Sequence, residues 1–357
     1  MSAVGRSWPG ARELTVAVDA RDPSDPDQVR ALAYPDLVGS PEVGDRVLLN
    51  TAALALGLGT GGYAFVVALP DKLPPDPPPG PGHLVKARYT PLQTVVAGVD
   101  EPDSPHHQRL ADADDLAGMP VVTADLHSAL PAVLAGLHAD APGARVAYLM
   151  TDGGALPAGF SRTLAALAGS LAGTVTVGQA FGGDLEAASL HSGLLAARLV
   201  LRAQVAVVAQ GPGNLGTGTR WGFSGVAVGE AVNAAAVLGG RPVGALRLSA
   251  ADPRPRHRGV SHHSLTAYGR VALATADIAV PAGLPEPLAG QVRDALAPLA
   301  GRHRLVPVDT TGLDAALRAA PAPLSTMGRG LDQDHPYFLA CAAAGRHAAH
   351  LLASPPG

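Results

Sequence analysis

The apolar positions of this chain change rhythm near residue 105. Before it they come in short β-rich runs broken by Gly, Pro and Asp: Glu13 to Ala20, Gly44 to Thr51, Gly62 to Leu69 and His83 to Gln93. Such runs predict strands joined by turns and, together, a small β-barrel-like N-terminal domain over residues 1–105. Pro74 to Gly82 is a proline-dense loop within it. Polar, acidic residues then lead into 106–119, read as a linker. From 120 to 357 strand patterns alternate with helical ones. Val121 to Thr123, Val146 to Met150, Val175 to Val177, Val205 to Ala209, Val243 to Leu248, Ile278 to Val280 and Leu305 to Val308 are the strand runs. Gly159 to Leu171, Leu185 to Leu201, Gly225 to Leu238 and His335 to Leu352 are the helical ones. This alternation predicts an α/β domain with Rossmann-like layering, a mostly parallel sheet with helices on both faces.

The expected fold has a geometric consequence, because ligands of such sheets bind outside the carboxyl ends of the strands. The segments that follow the strands are rich in chemistry: Asp125 to Ser128, Thr151 to Gly154, Phe181 to Asp184, Gly211 to Gly225, Asp252 to His263 and Asp309 to Gly312. Gly, Asp and Ser also collect in loops simply because they make turns. Six such loops on one sheet edge argue for a site more strongly than any one of them.

The longest is Gly211-Pro212-Gly213-Asn214-Leu215-Gly216-Thr217-Gly218-Thr219-Arg220-Trp221-Gly222-Phe223-Ser224-Gly225. Its opening satisfies G-x-G-x-x-G after a strand, the pattern of a dinucleotide pyrophosphate loop. The context disagrees: residues 217–222 postpone the helix to about Ser224, and the next acid after a strand, Asp252, lies far beyond the usual ~20 residues. A bare turn or another ligand cradle remains, with backbone N–H groups around Gly211, Gly213, Gly216, Thr217, Gly218, Thr219 and Arg220 available to an anion. Trp221 either stacks on a ligand ring or anchors the loop.

Composition narrows the function classes. Hydrophobic residues at 47% against 16% charged exclude a disordered chain. No apolar run reaches the ~18 residues of a membrane span, and the first residues lack the pattern of an export signal, so a cytoplasmic protein is expected. Cys341 is the only cysteine, which excludes disulfides and thiolate metal clusters. Lys72 and Lys86 are the only lysines, so the α/β region has no phosphate-loop or Schiff-base lysine. A net charge of -4 argues against nucleic acid as a partner.

Ala251-Asp252-Pro253-Arg254-Pro255-Arg256-His257-Arg258-Gly259-Val260-Ser261-His262-His263-Ser264 is the second informative stretch. Arg254, Arg256 and Arg258 alternate and could neutralise an anion, each charged hydrogen bond contributing about 1.5 to 3 kcal/mol. A solvated surface loop is the plain alternative. Ser261 is placed to cap a helix opening with His262 and His263. Adjacent helical histidines diverge by about 100°, so a metal needs ligands from elsewhere, for which Asp125 and His127 are candidates. Acid–base work by His262 or His263, with Asp125 or Asp152, is the more economical reading. Asp152 is equally suited to capping a helix. Arg329, in a late glycine-bearing loop, is placed to close over a site.

Ala147 to Pro157, the glycine loop through Gly225, Arg256 to His263 and Ser325 to Gly330 occur in an order that resembles an uncharacterised bacterial family, domain-of-unknown-function family 3866. The resemblance covers nearly the whole chain. It implies no activity and transfers no residue roles. The expectation is therefore an enzyme acting on a small anionic or nucleotide-like substrate, with a non-catalytic metabolite sensor and a metal-dependent hydrolase as alternatives. Cofactor identity stays open, and self-association is compatible with either reading.

Overall fold

A computed structural model of the chain describes residues 1–18, 27–76 and 80–354. Five strands, β1 (Ala3–Trp8), β2 (Ala11–Ala17), β3 (Gln28–Ala33), β4 (Leu48–Asn50) and β5 (Ala64–Ala68), form a mixed sheet in the order β1-β2-β3-β5-β4. Its β3–β5 pair is parallel and its other pairs are antiparallel. Among the described residues β1 and β4 are its edges. The expected strand to Ala20 ends at Ala17, and its last two residues lie outside the described ones, as does part of the Pro74 to Gly82 loop. His83 to Gln93 is not one strand. It splits into the hairpin β6 (Leu84–Lys86) and β7 (Thr94–Val96), because Ala87 and Tyr89 turn the chain with positive φ.

The second sheet is built from β8 (Pro120–Thr123), β9 (Val146–Thr151), β10 (Gly173–Val177), β11 (Leu185–Ala187), β12 (Val205–Gln210) and β13 (Arg241–Ala245). After the short hairpin of β14 (Leu248–Ser249) and β15 (Gly259–Val260), β16 (Asp277–Pro281) and β17 (Arg304–Val308) complete it. All its pairs are parallel, in the order β11-β10-β9-β12-β8-β13-β16-β17. Alternate residues feed two apolar layers. Val122, Tyr148, Val207 and Ile278 face one side with helices Leu130–Asp140 and His335–Ala353, while Val121, Leu149, Ala206 and Val208 face the other with helix Leu190–Leu199. The chain is thus α/β, with helices on both faces. No helix among the described residues is long and apolar enough to cross a membrane.

Three expected elements change. Gly159 to Leu171 is not one helix: Ser161 is extended and caps helix Arg162–Leu167, with a tight turn of 3-10 helix on either side. Leu185 to Leu201 is not one helix: Leu185–Ala187 pairs with β10, and the helix starts at Leu190 behind a Ser189 capping box. Tertiary contacts override the helical pattern here, since Glu186 Oε2 accepts from Thr176 Oγ1 at 2.8 Å and faces the buried Lys86 at 3.3 Å. Val243 to Leu248 breaks after Ala245, and Leu248–Ser249 pairs with β15 instead. That break turns Arg247 into the crevice where strand order reverses, between β12, β8 and β13.

Candidate functional site

Three strand ends meet in that crevice. Asp125 follows β8, Gln210 ends β12 and Arg247 follows β13; all three are buried. Gln210 Nε2 donates to the Asp125 carbonyl at 2.7 Å and to Asn214 Oδ1 at 2.9 Å, tying the start of the glycine loop to the end of β8. Arg247 Nη1 reaches Asp125 Oδ2 at 3.4 Å. Burial opposes the charge of Asp125, yet the Arg247 guanidinium and the His263 hydrogen bond hold its carboxyl below the ordinary carboxylate value.

Ser261 caps helix His262–Thr266 as the sequence suggests, its Oγ accepting from His263 N–H at 3.2 Å. The cap turns three imidazoles together, because the preceding turn Pro255–His257 brings His257 back over the helix start. Ring centroids lie 5.0 Å apart for His257 and His262, 4.9 Å for His257 and His263, and 4.5 Å for His262 and His263. One ligand-capable atom from each lies within 4.8 Å of the others. His263 Nδ1 lies 3.0 Å from Asp125 Oδ2 and 3.1 Å from Arg247 Nη1, and His257 Nδ1 lies 2.7 Å from Ser261 Oγ. Among the described residues neither Nε2 atom makes a hydrogen bond, and the buried Nε2 of His262 has no hydrogen-bond partner either. Phe223, from the glycine loop, stacks on His263 at 3.7 Å. Burial, reinforced by the Arg247 charge, depresses the His257 imidazole to about 3; burial and the neighbouring His263 depress His262 to about 4. At neutral pH both are uncharged.

The glycine loop closes on itself. Thr217 N–H bonds to Gly222 O at 2.7 Å, Ser224 N–H to Leu215 O at 3.1 Å and Gly222 N–H to Thr219 Oγ1 at 3.1 Å. Residues Gly216, Thr217, Gly218, Thr219 and Arg220 form its exposed tip, and Trp221 is 54% exposed, so it does not anchor the loop. Gly211 is buried against the Asp152 to Ala155 turn, and Gly213 is exposed with a positive φ.

The three arginines separate into two kinds. Arg254 grips Asp252 with Nε–Oδ1 at 2.9 Å and Nη2–Oδ2 at 2.8 Å, and Arg258 Nε donates to the Asp252 carbonyl at 3.3 Å. Arg329, the residue placed to close over a site, instead bridges Asp252 at 3.3 Å and Asp334 at 3.0 Å. Arg256 alone of the three makes no hydrogen bond or ion pair among the described residues; its guanidinium rests against Gly218. Arg254→Ala is therefore expected to cost about 1 to 3 kcal/mol in urea unfolding, and Arg256→Ala no more than about 0.5. The reverse order would remove Arg256 from the ligand side.

Two candidates lie elsewhere. Asp152 accepts from Gln179 N–H at 2.9 Å and faces a cavity shared with Lys86, Arg88 and Tyr89, away from the imidazoles. His127 does not join Asp125 as a ligand: its nitrogens are taken by Tyr148 OH at 2.9 Å and Ser161 Oγ at 2.6 Å. The third imidazole comes from His257 instead. The spacing His257-x4-His262-His263 was its sequence signal, whereas Arg247 and Phe223 carried none.

Comparison with curated proteins finds no match, and no solved structure matches either. The family model described as "Protein of unknown function (DUF3866)" matches residues 30–345, from the third strand into the C-terminal helix, and the chain belongs to that family.

Proposed function

We propose that the protein is an enzyme that holds a divalent transition-metal ion between His257, His262 and His263 and hydrolyses a small anionic substrate at the carboxyl edge of its parallel sheet. The observation that carries this reading is the unpartnered, buried Nε2 of His262 beside two further imidazoles. A buried polar atom without a partner is costly, and a metal ion relieves that cost. Three imidazoles without thiolate suit zinc or a neighbouring first-row ion and leave a coordination position open. Such an ion supplies a polarised water at neutral pH. Asp125 behind His263 is the carboxylate that fixes a ligand imidazole's tautomer. Arg256, against Gly218, is the uncommitted cation for the substrate's negative charge.

Elemental analysis of the full chain, purified without a histidine tag, is expected to find about one transition-metal ion per chain. His262→Ala and His257→Ala should lose it, and Asp125→Asn should bind it about 10- to 100-fold more weakly. A folded wild-type protein that binds none of zinc, cobalt, nickel, manganese or ferrous ion in calorimetry would sink the proposal. A retained organic ligand, recovered chemically unchanged and bound equally well by the two alanine variants, would favour a sensor.

A further inference from the structure

A second constellation lies outside the three-imidazole centre and does not depend on it. Ser161 follows the β9 loop, where its Oγ caps helix Arg162–Leu167 by accepting from Leu164 N–H at 3.1 Å. The same oxygen sits 2.6 Å from His127 Nε2, and His127 Nδ1 sits 2.9 Å from Tyr148 OH. One arrangement of protons satisfies every contact in this chain. Tyr148 OH faces the carbonyls of Ala209 and Gln210, each at 3.1 Å, and must donate to them. Its oxygen therefore accepts from His127 Nδ1–H. A neutral imidazole protonated on Nδ1 can only accept at Nε2, so the Ser161 hydroxyl donates to it. Burial keeps His127 in this neutral form, depressing it to about 4. A hydroxyl oxygen has two lone pairs, and Leu164 N–H occupies one. Among the described residues nothing occupies the other.

Ser161 lines a cavity of about 470 Å³ between the N-terminal sheet and the α/β layers. Pro9 and Gly10, Tyr34, Val96 and Phe181 form much of its apolar wall. Its carboxylates are mostly committed: Asp184 accepts from Thr174 N–H, and Glu186 from Thr176 and Gly182. Asp36 alone among them makes no hydrogen bond within the described residues, and no Lys or Arg lines the space. The space thus suits an uncharged, apolar group rather than an anion.

We propose that Ser161 is a nucleophile, with His127 as its general base, for uncharged carboxylic esters seated in this cavity. The Ser161 Oγ–carbon bond forms as its proton moves to His127 Nε2. The carbonyl–alkoxy bond then breaks, and the leaving alcohol takes that proton. Water, deprotonated by the same nitrogen, releases the acid and restores the hydroxyl.

The test uses the full chain and a fluorophosphonate probe. Oγ attack forms a phosphorus–oxygen bond and expels fluoride with the proton. One label per chain, mapped to Ser161 by peptide mass spectrometry, is expected. Ser161→Gly should lose it and His127→Gln should slow it at least 100-fold. Glycine serves as the variant because it nearly preserves a helix N-cap, and cooperative urea unfolding at pH 7.5 would confirm that both variants are folded. A folded wild-type chain that stays unlabelled, a label mapped elsewhere, or undiminished labelling of either variant would overturn the proposal.

Discussion

Replacing Gly345 by valine is expected to unfold the protein or to cost more than about 4 kcal/mol, most of the stability margin of an ordinary domain. Gly345 lies in helix His335–Ala353, which is buried over most of its length against helix Leu130–Asp140. A Cβ at Gly345 would press on the carbonyl oxygen of Val133 and stand 2.8 Å from its carbon and 2.9 Å from Leu137 N. One at Gly136 would do the same to Ala342, whose Cα would be 2.7 Å away. These neighbours are backbone atoms, so no side-chain rotation relieves the clash. The helices must separate, and separation opens the apolar layer that also holds Tyr148, Phe338 and Ile278. Gly345→Ala and Gly136→Ala are each expected to cost about 2 to 3 kcal/mol in urea unfolding. The double variant should cost less than their sum, because one separation relieves both clashes. Full additivity, or a Gly345→Val melting temperature close to wild type, would refute the close-contact account.

This pair of helices also marks what the sequence conveyed and what it did not. His335 to Leu352 was readable as helix from its length and its run of alanines. Leu130–Asp140 was not, because Leu130 to Leu137 are all apolar and offer no amphipathic period. The parallel sheet was legible because its strands are short Val-rich runs, and a sheet covered on both faces needs no alternation. The candidate site was half legible. Ser261, His262, His263 and Asp125 were identifiable from strand-end position and capping chemistry. Arg247 was not, because it sits inside what reads as one strand, and only the break after Ala245 turns it toward Asp125. The arginine row misled for a related reason: alternation along the sequence suggests one charged face, but Asp252 recruits Arg254 and Arg258 and leaves Arg256 alone.

Acidification is expected to destabilise the protein through His127, by about 3 kcal/mol in all. Its imidazole, buried between Tyr148 and Ser161, is depressed to about 4 from an ordinary value of 6.5. Above pH 6.5 it is neutral in both folded and unfolded chains, and its contribution is complete. Between 6.5 and 4 the unfolded chain binds the proton and the fold does not, so stability falls as pH falls, by about 1.4 kcal/mol per pH unit. Below 4 both forms are protonated and this loss levels off. About 2 kcal/mol should be gone at pH 5. Urea unfolding of metal-free protein at pH 7.5 and pH 5 measures it, with His127→Gln as the reference. The variant retains His257 and His262, so their titration cancels in the comparison. Carboxyl groups held below the ordinary range, among them Asp125 and Asp252, lose their charge only at lower pH. Wild type should therefore lose about 2 kcal/mol more than His127→Gln between the two pH values. Equal losses would mean that His127 takes up its proton as readily in the fold as in the open chain, and the directed chain from Ser161 through His127 to Tyr148 would then be wrong.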